Sequence, residues 1–306
     1  MTPEDRDSPA DPPRRSSTPG TRAGRLAIVI VLILVSVATL LVVREHRRGE
    51  EYRNALRLAQ SGDTRGAYSI LSGLGGYSDA SERARELLED DPALALRTAV
   101  KGDLVTFGSF EQDGDPANGP EPLRWIVLDR IEGRLLLLAL DSIAARPYHP
   151  VPFQEISWEA SDLREWMNSD FLAAAFTGPQ RALLVPAGDA ADDAGARQEE
   201  APDEKAPSGD LVFALSRTEA DVYLSDDVER ELTGAARIAE AAKDPALPLD
   251  EDGRADWWLR SRGNYGFTAQ FVDRSGAPYA PGANVDAVYA VRPALWLDPQ
   301  RGGEER

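Results

Sequence analysis

The stretch Trp257-Trp-Leu-Arg-Ser-Arg-Gly-Asn-Tyr-Gly-Phe267 carries the side chains best suited to contact a ligand. In a strand, Trp257 and Trp258 point to opposite faces, so only one of them can lie in the core of a single-sided sheet. The other ring, together with Asn264 and Tyr265, is predicted to stack against a sugar or a peptide. Structural tryptophans in a core are the alternative interpretation of the same pattern.

Two arginines of the same region, Arg260 and Arg292, lie within largely apolar strand sequences. An unpaired guanidinium in a protein interior is very costly in free energy. Both side chains are therefore predicted to be buried and paired with carboxylates, in a structural role.

A glycine-containing turn, Asp113-Gly-Asp-Pro-Ala-Asn-Gly119, offers oxygen ligands at Asp113, Asp115 and Asn118. Calcium prefers such oxygens, so the turn is a candidate calcium site. It is not an EF-hand, because the third ligand comes one residue late and no glutamate follows at the twelfth position. A plain turn between two strands is the alternative, and no other cofactor is indicated.

Known catalytic motifs are missing from the sequence, which has no G-x-S-x-G elbow, G-x-G-x-x-G fingerprint, Walker loop or H-E-x-x-H. His149 is the histidine available to a catalytic triad, and its position in a proline-flanked loop favours a packing role. Carboxylate pairs such as Asp162/Glu165 and Asp250/Asp252 can serve acid–base chemistry, but no spacing singles one out among 52 acidic residues.

Composition excludes further classes of function. The chain has 306 residues, of which 34 are basic and 52 acidic, giving a net charge of −18. Nucleic acid is not an expected partner, because neutralising phosphates needs a basic surface. The absence of cysteine excludes disulfides, thiolate metal sites and thiol nucleophiles.

Residues 26–43 form an apolar run of eighteen residues without a charge. As a helix this run is about 27 Å long, close to the thickness of the hydrocarbon core of a bilayer. A cleaved signal peptide is the alternative, but its apolar core is shorter and ends at small residues. The run is therefore predicted to be a signal-anchor helix that has the lipid bilayer as its partner. The layout places a single-pass protein in the cell membrane, with its large domain outside the cytoplasm.

The rest of the chain divides by composition and periodicity. Residues 1–25 are rich in proline and polar residues and are predicted to be disordered. Residues 44–100 contain three short amphipathic helices and resemble a single tetratricopeptide-like repeat, predicted to form a stalk. Residues 101–299 form the head, with an acidic disordered insert at 187–210, and residues 300–306 form a flexible tail.

The head is predicted to be α+β, because strand-like segments come first, helices follow and strands return. Arg134 to Leu140 is apolar throughout and is predicted to be a central strand covered on both faces. Ser161 is a predicted N-cap for one helix, and a second helix is predicted to begin near Ser169.

Five ordered blocks of the head resemble an uncharacterised bacterial family, domain of unknown function 6273. The blocks are Gly102–Phe110, Glu121–Leu128, Leu163–Leu172, Trp257–Ser261 and Val291–Leu297. The resemblance implies no established activity. Members often carry a membrane span or tetratricopeptide-like helices before the domain. The closing Trp-rich strand, hairpin and Val-Arg-Pro strand are similar to the C-type-lectin-like fold of formylglycine-generating enzymes.

This chain differs from that family pattern in its acidic insert and at Arg262, where members commonly have proline. It also lacks the paired cysteines of a copper-dependent oxidase. The leading hypothesis is a non-catalytic binding or sensing module at the cell surface whose ligand is a glycan, a peptide or a protein. The alternatives are an enzyme that uses carboxylates, and a scaffold that binds partners through the helical stalk.

Overall fold

The computed structural model describes residues 20–91, 93–187, 209–224 and 234–301. The chain divides into two compact units, Met1–Glu86 and Leu87–Arg306. Most of the tail predicted over 1–25, most of the insert predicted over 187–210 and residues 302–306 of the predicted C-terminal tail lie outside the described residues.

The first unit consists of helices α1 (Gly20–Gln60), α2 (Thr64–Leu74) and the first part of α3 (Ala80–Asp90). Gly62, in the turn between α1 and α2, has a left-handed backbone conformation. The Asp63 side chain then caps α2 by accepting a hydrogen bond from the Gly66 N–H. The buried side chains of these helices are small or apolar. These are Ala55, Ala67, Leu71, Leu74, Ala80 and Ala84.

The prediction that residues 26–43 span a membrane is wrong for the structure as described. Within the described residues, no helix combines the length and the apolar character that crossing a bilayer requires. The apolar run is not a separate element, because it is one part of a 41-residue helix. The same helix continues from Arg44 through a highly charged segment to Gln60.

The second unit begins with the last residues of α3, continues with α4 (Leu94–Thr98) and is built largely from short strands. These are β1 (Leu104–Phe110), β2 (Glu121–Ile131), β3 (Arg134–Ala139), β4 (Ala144–Pro147), β5 (Leu184–Val185), β6 (Ala236–Arg237), β7 (Arg254–Ala255), β8 (Trp257–Arg262), β9 (Thr268–Val272), β10 (Pro278–Asn284), β11 (Val288–Val291) and β12 (Ala294–Leu297).

Two five-stranded sheets organise these strands, in the orders β1-β2-β3-β12-β5 and β10-β9-β8-β11-β4, and β6 pairs with β7. Between these strands, as far as the structure describes the chain, β11 pairs with β8 in parallel and the other pairs are antiparallel. Arg292 and Pro293 connect the two large sheets, since they separate β11 from β12. The predicted central strand is confirmed as β3, which lies between β2 and β12 and is buried along almost its whole length.

Short helices accompany the sheets, which confirms the α+β class. They are α5 (Asp162–Trp166), α6 (Leu172–Ala175), α7 (Gly178–Ala182) and α8 (Arg217–Tyr223). Ser161 caps α5 as predicted, because its side chain accepts from the Arg164 N–H. The prediction that a second helix begins near Ser169 is wrong, because a π-helical turn, Met167–Phe171, joins α5 to α6 without an interruption. There the Ser169 hydroxyl donates back to the Glu165 carbonyl (2.6 Å) and does not cap a new helix.

Candidate ligand-binding site

The two adjacent tryptophans of β8 lie in the core. Trp257 and Trp258 are 0% and 1% exposed, so the structure buries both rings and not one alone. Each indole N–H is satisfied by a backbone carbonyl, that of Gly234 for Trp257 (2.8 Å) and that of Arg146 for Trp258 (2.9 Å). Neither ring can contact a ligand at the surface, and both stabilise the sheet that carries the site.

The two buried arginines use different partners. Arg260 pairs with Glu219 of α8 (2.5 Å) and donates to the Ala214 carbonyl (2.8 Å). Arg292 donates to the backbone carbonyls of Ala139, Leu140 and Gly234. Burial lowers the pKa of Arg292 to about 9, so its guanidinium is still charged at neutral pH and the carbonyl oxygens solvate it.

Beyond the end of β8, three aromatic rings meet at the surface. Tyr265 is 63% exposed and lies parallel to Phe267, with ring centroids 5.4 Å apart. Phe153, which is 67% exposed, packs edge-on against Phe267 at 5.5 Å. Phe153, Tyr265 and Phe267 are called the aromatic platform below. Exposed apolar surface of this kind is typical of interaction sites.

The loop that carries Phe153 is strained. Phe153 has φ +57°, a left-handed conformation that costs a non-glycine residue about 1–2 kcal/mol. The loop is held to the segment that carries Tyr265 by a hydrogen bond from the Ile156 N–H to the Gly266 carbonyl (2.9 Å). A strained residue with a largely exposed ring is more typical of function than of stability.

A pocket of about 220 Å³ lies beside the platform. Its lining residues are Tyr148, Glu155, Ile156, Ser157, Trp158, Arg260, Arg262 and Thr268. The Trp158 wall is fixed because its indole N–H donates to Asp210 (3.0 Å), which in turn accepts from Arg164 (2.7 Å). Asp210 is only 1% exposed, so the end of the predicted acidic surface insert is in fact part of the interior.

Arg262 and Glu155 form the boundary between the pocket and the platform. Their side chains are 3.9 Å apart and are 45% and 78% exposed, so the pair is weak and accessible. Both pack over Gly266, which stands between Tyr265 and Phe267 in the chain. A Cβ at Gly266 would lie 2.7 Å from the Glu155 side chain, so any larger residue at this position would displace these two exposed side chains.

Asn264, which was predicted to contact ligand together with Tyr265, is exposed beside it. Its backbone N–H donates to the Pro281 carbonyl of β10 (3.0 Å), which fixes the loop against the sheet edge. The structure therefore keeps Asn264 and Tyr265 together at the surface and removes the tryptophans from it.

His149 contacts a carboxylate, as an enzyme mechanism would require. Its Nδ1 is hydrogen-bonded to Asp162, and its backbone N–H donates to the Val285 carbonyl (2.9 Å). The other ring nitrogen, Nε2, is buried and has no hydrogen-bond partner among the described residues. Because that atom is covered, this pair is not arranged to exchange a proton with a bound substrate. Of the other carboxylates considered, Asp250 accepts from the N–H groups of Asp252 and Arg254 and so stabilises a turn.

The predicted calcium turn is closed by its own hydrogen bonds. Asn118 donates its amide N–H to Asp113 (2.8 Å), and the Asp115 N–H donates to the other Asp113 oxygen (2.8 Å). These donors lower the pKa of Asp113. Glu111 and Glu121 bring carboxylates within 4.8 Å of Asp113, a donor set that would suit calcium. Exposed acidic groups are common without an ion, so the cluster alone does not identify a metal site.

Sequence reasoning missed Phe153, Glu155 and the role of Arg262. The available signal was an aromatic residue in the loop His149-Pro-Val-Pro-Phe153, where turn residues predominate. Nothing local in the sequence brings this loop to Tyr265, which lies more than one hundred positions later.

Comparisons with known proteins identify a family and give no activity. No curated protein matches the chain. No solved structure matches it either, so the C-type-lectin-like fold implied by the resemblance finds no support. The family described as "Domain of unknown function (DUF6273)" matches residues 132–299, more than half of the chain. That span includes the platform, the pocket and both buried arginines, and the chain belongs to this family.

Proposed function

We propose that the second unit is a non-catalytic ligand-binding module whose contact surface is the aromatic platform and the adjoining pocket. The observation that carries the proposal is the grouping of three aromatic rings outside the core. Two of these rings are more than 60% exposed, and Phe153, which carries one of them, has a left-handed backbone conformation. Core packing explains none of these features, whereas a binding role explains all of them.

The buried network supports this proposal. Arg260, Trp158 and Thr268 form the inner wall of the pocket, and all three are less than 10% exposed. Their polar groups are already hydrogen-bonded, as with Trp158 to Asp210 and the Thr268 hydroxyl to the Tyr265 carbonyl (2.9 Å). A rigid wall beside an accessible platform is the arrangement expected of a largely preformed binding site.

The proposal is tested by titrating the full chain with panels of soluble oligosaccharides and peptides. Trp158 lines the pocket, so bound ligand is expected to change tryptophan fluorescence and to raise the melting temperature. Tyr265→Ala is expected to weaken the response. The matched control is Tyr279→Ala, because Tyr279 is 47% exposed but packs against Phe271 in another aromatic group. A response equal in both variants, or none in the wild-type chain, would refute the proposal.

A further inference from the structure

We propose that the ligand of this site is a neutral carbohydrate, an inference that rests on the proposed function and specifies its chemistry. The aromatic platform would contact the apolar C–H face of a pyranose ring. Arg262, Glu155 and Ser157 would hydrogen-bond its hydroxyl groups at the mouth of the pocket.

The charges at the pocket favour a neutral ligand over an anion. Two arginines, Arg260 and Arg262, line the pocket. Arg260 pairs with the Glu219 carboxylate, and Arg262 pairs with the Glu155 carboxylate. The formal charges of these four groups sum to zero. The chain as a whole carries −18, which repels polyanions at long range.

The groups around the pocket suit a ligand with many hydroxyls. The Arg262 guanidinium offers parallel N–H donors and the Glu155 carboxylate offers two acceptors, so together they match the alternating donors and acceptors of neighbouring hydroxyls. Their mutual ion pair is long and exposed, so little is lost when each turns to a ligand. Ser157 adds an exposed hydroxyl to the same rim.

A peptide is the less favoured ligand because the nearest sheet edge resists strand addition. The strand β10 is an edge strand, and it contains Pro278 and Pro281, which have no N–H to donate to an added strand. The Pro281 carbonyl is already occupied by the Asn264 N–H. An extended peptide would therefore find few backbone partners beside the platform.

The test is isothermal titration of the full chain with four neutral tetrasaccharides, namely cellotetraose, maltotetraose, mannotetraose and tetra-N-acetylchitotetraose. A trigalacturonate and an acetylated, amidated peptide mixture are titrated in parallel. At least one neutral sugar is expected to bind, and the trigalacturonate is expected to bind more weakly than that sugar. Tyr265→Ala and Arg262→Ala are each expected to weaken binding by about tenfold. Tyr265→Phe retains the ring and is expected to change the affinity by less than about threefold.

The outcomes separate this inference from the proposed function. Peptide binding that depends on Tyr265, with no binding of the neutral sugars, overturns the inference and leaves the binding module intact. Binding of trigalacturonate that depends on Tyr265 and is tighter than that of the neutral sugars also overturns the inference and leaves the binding module intact. If no probe binds, or if the affinity is the same in Tyr265→Ala as in Tyr279→Ala, both proposals fail.

Discussion

The buried ion pair between Arg260 and Glu219 allows a quantitative test of what holds the inner wall of the pocket. Their side chains are 2% and 9% exposed, and the Glu219 carboxylate also accepts from the Ser216 N–H (2.9 Å). In Glu219→Gln the amide oxygen can still complete the capping box of α8, so the change removes the charge and little else. A guanidinium left in the interior without its counterion costs about 3–5 kcal/mol.

The free energy of unfolding is best measured by urea denaturation followed by tryptophan fluorescence. All six tryptophans lie between positions 125 and 296, so the signal reports the second unit of the intact chain. A domain of this kind is stable by about 5–15 kcal/mol, so the expected loss is a large and measurable fraction. Adding Arg260→Met to the Glu219→Gln variant removes the unpaired buried charge. The double variant is therefore expected to recover most of the lost free energy of unfolding.

Asp221→Asn on the same helix is the matched control. Asp221 pairs with Arg217 at 2.7 Å, but its side chain is 52% exposed, so the variant is expected to lose less than about 0.5 kcal/mol. If Glu219→Gln destabilises the second unit no more than Asp221→Asn does, the reasoning about the buried pair is wrong.

Three further variants probe the β2–β3 turn, the titration of the half-buried Tyr289 phenol and the strained loop that carries Phe153. The β2–β3 hairpin turns through Glu132 and Gly133 with both φ values positive, so Glu132→Asn is expected to raise the free energy of unfolding by about 0.5–1 kcal/mol; an unchanged urea midpoint would contradict this. Burial, reinforced by the Asp256 carboxylate, raises the pKa of Tyr289, so the folded state keeps a proton that the unfolded chain releases and stability falls as pH rises above about 10. Tyr289→Phe is expected to flatten that fall between pH 9 and about 11 in urea melts, and a slope equal to that of the wild-type chain would refute the assignment. Phe153→Asn relieves left-handed strain but loses a ring contact, so stability is expected to stay within about 1 kcal/mol while ligand affinity drops; a large loss of stability with normal affinity would show that the ring has a packing role.

Local sequence signals predicted much of the second unit. The leucine run of β3 marks a strand covered on both faces, and Ser161 marks a helix start, because each signal depends on neighbouring residues. Ser169 was misread because a serine hydroxyl can cap a new helix or bond back within the old one, and sequence alone does not distinguish the two.

The site was harder to predict because distant segments form it. Trp258 is buried by Tyr148, at 5.8 Å between ring centroids, and by Tyr289, at 4.4 Å, two residues far from it in sequence. The alternation of side chains along β8 therefore predicts that Trp257 and Trp258 point to opposite faces of a strand. It does not predict the residues that cover the second face. Tyr265 was found because it stands in a polar turn, whereas Phe153 reaches the platform only through the fold.

The central claim is that ligand is held on Phe153, Tyr265 and Phe267. Fluorine NMR of the full chain labelled with 4-fluorophenylalanine tests it most directly, with the resonances of Phe153 and Phe267 assigned by single substitution. On addition of the tetrasaccharide that binds, those two of the eight phenylalanine signals are expected to shift, while that of Phe271 stays in place. Shifts confined to other phenylalanines, with Phe153 and Phe267 unchanged at saturation, would contradict the account.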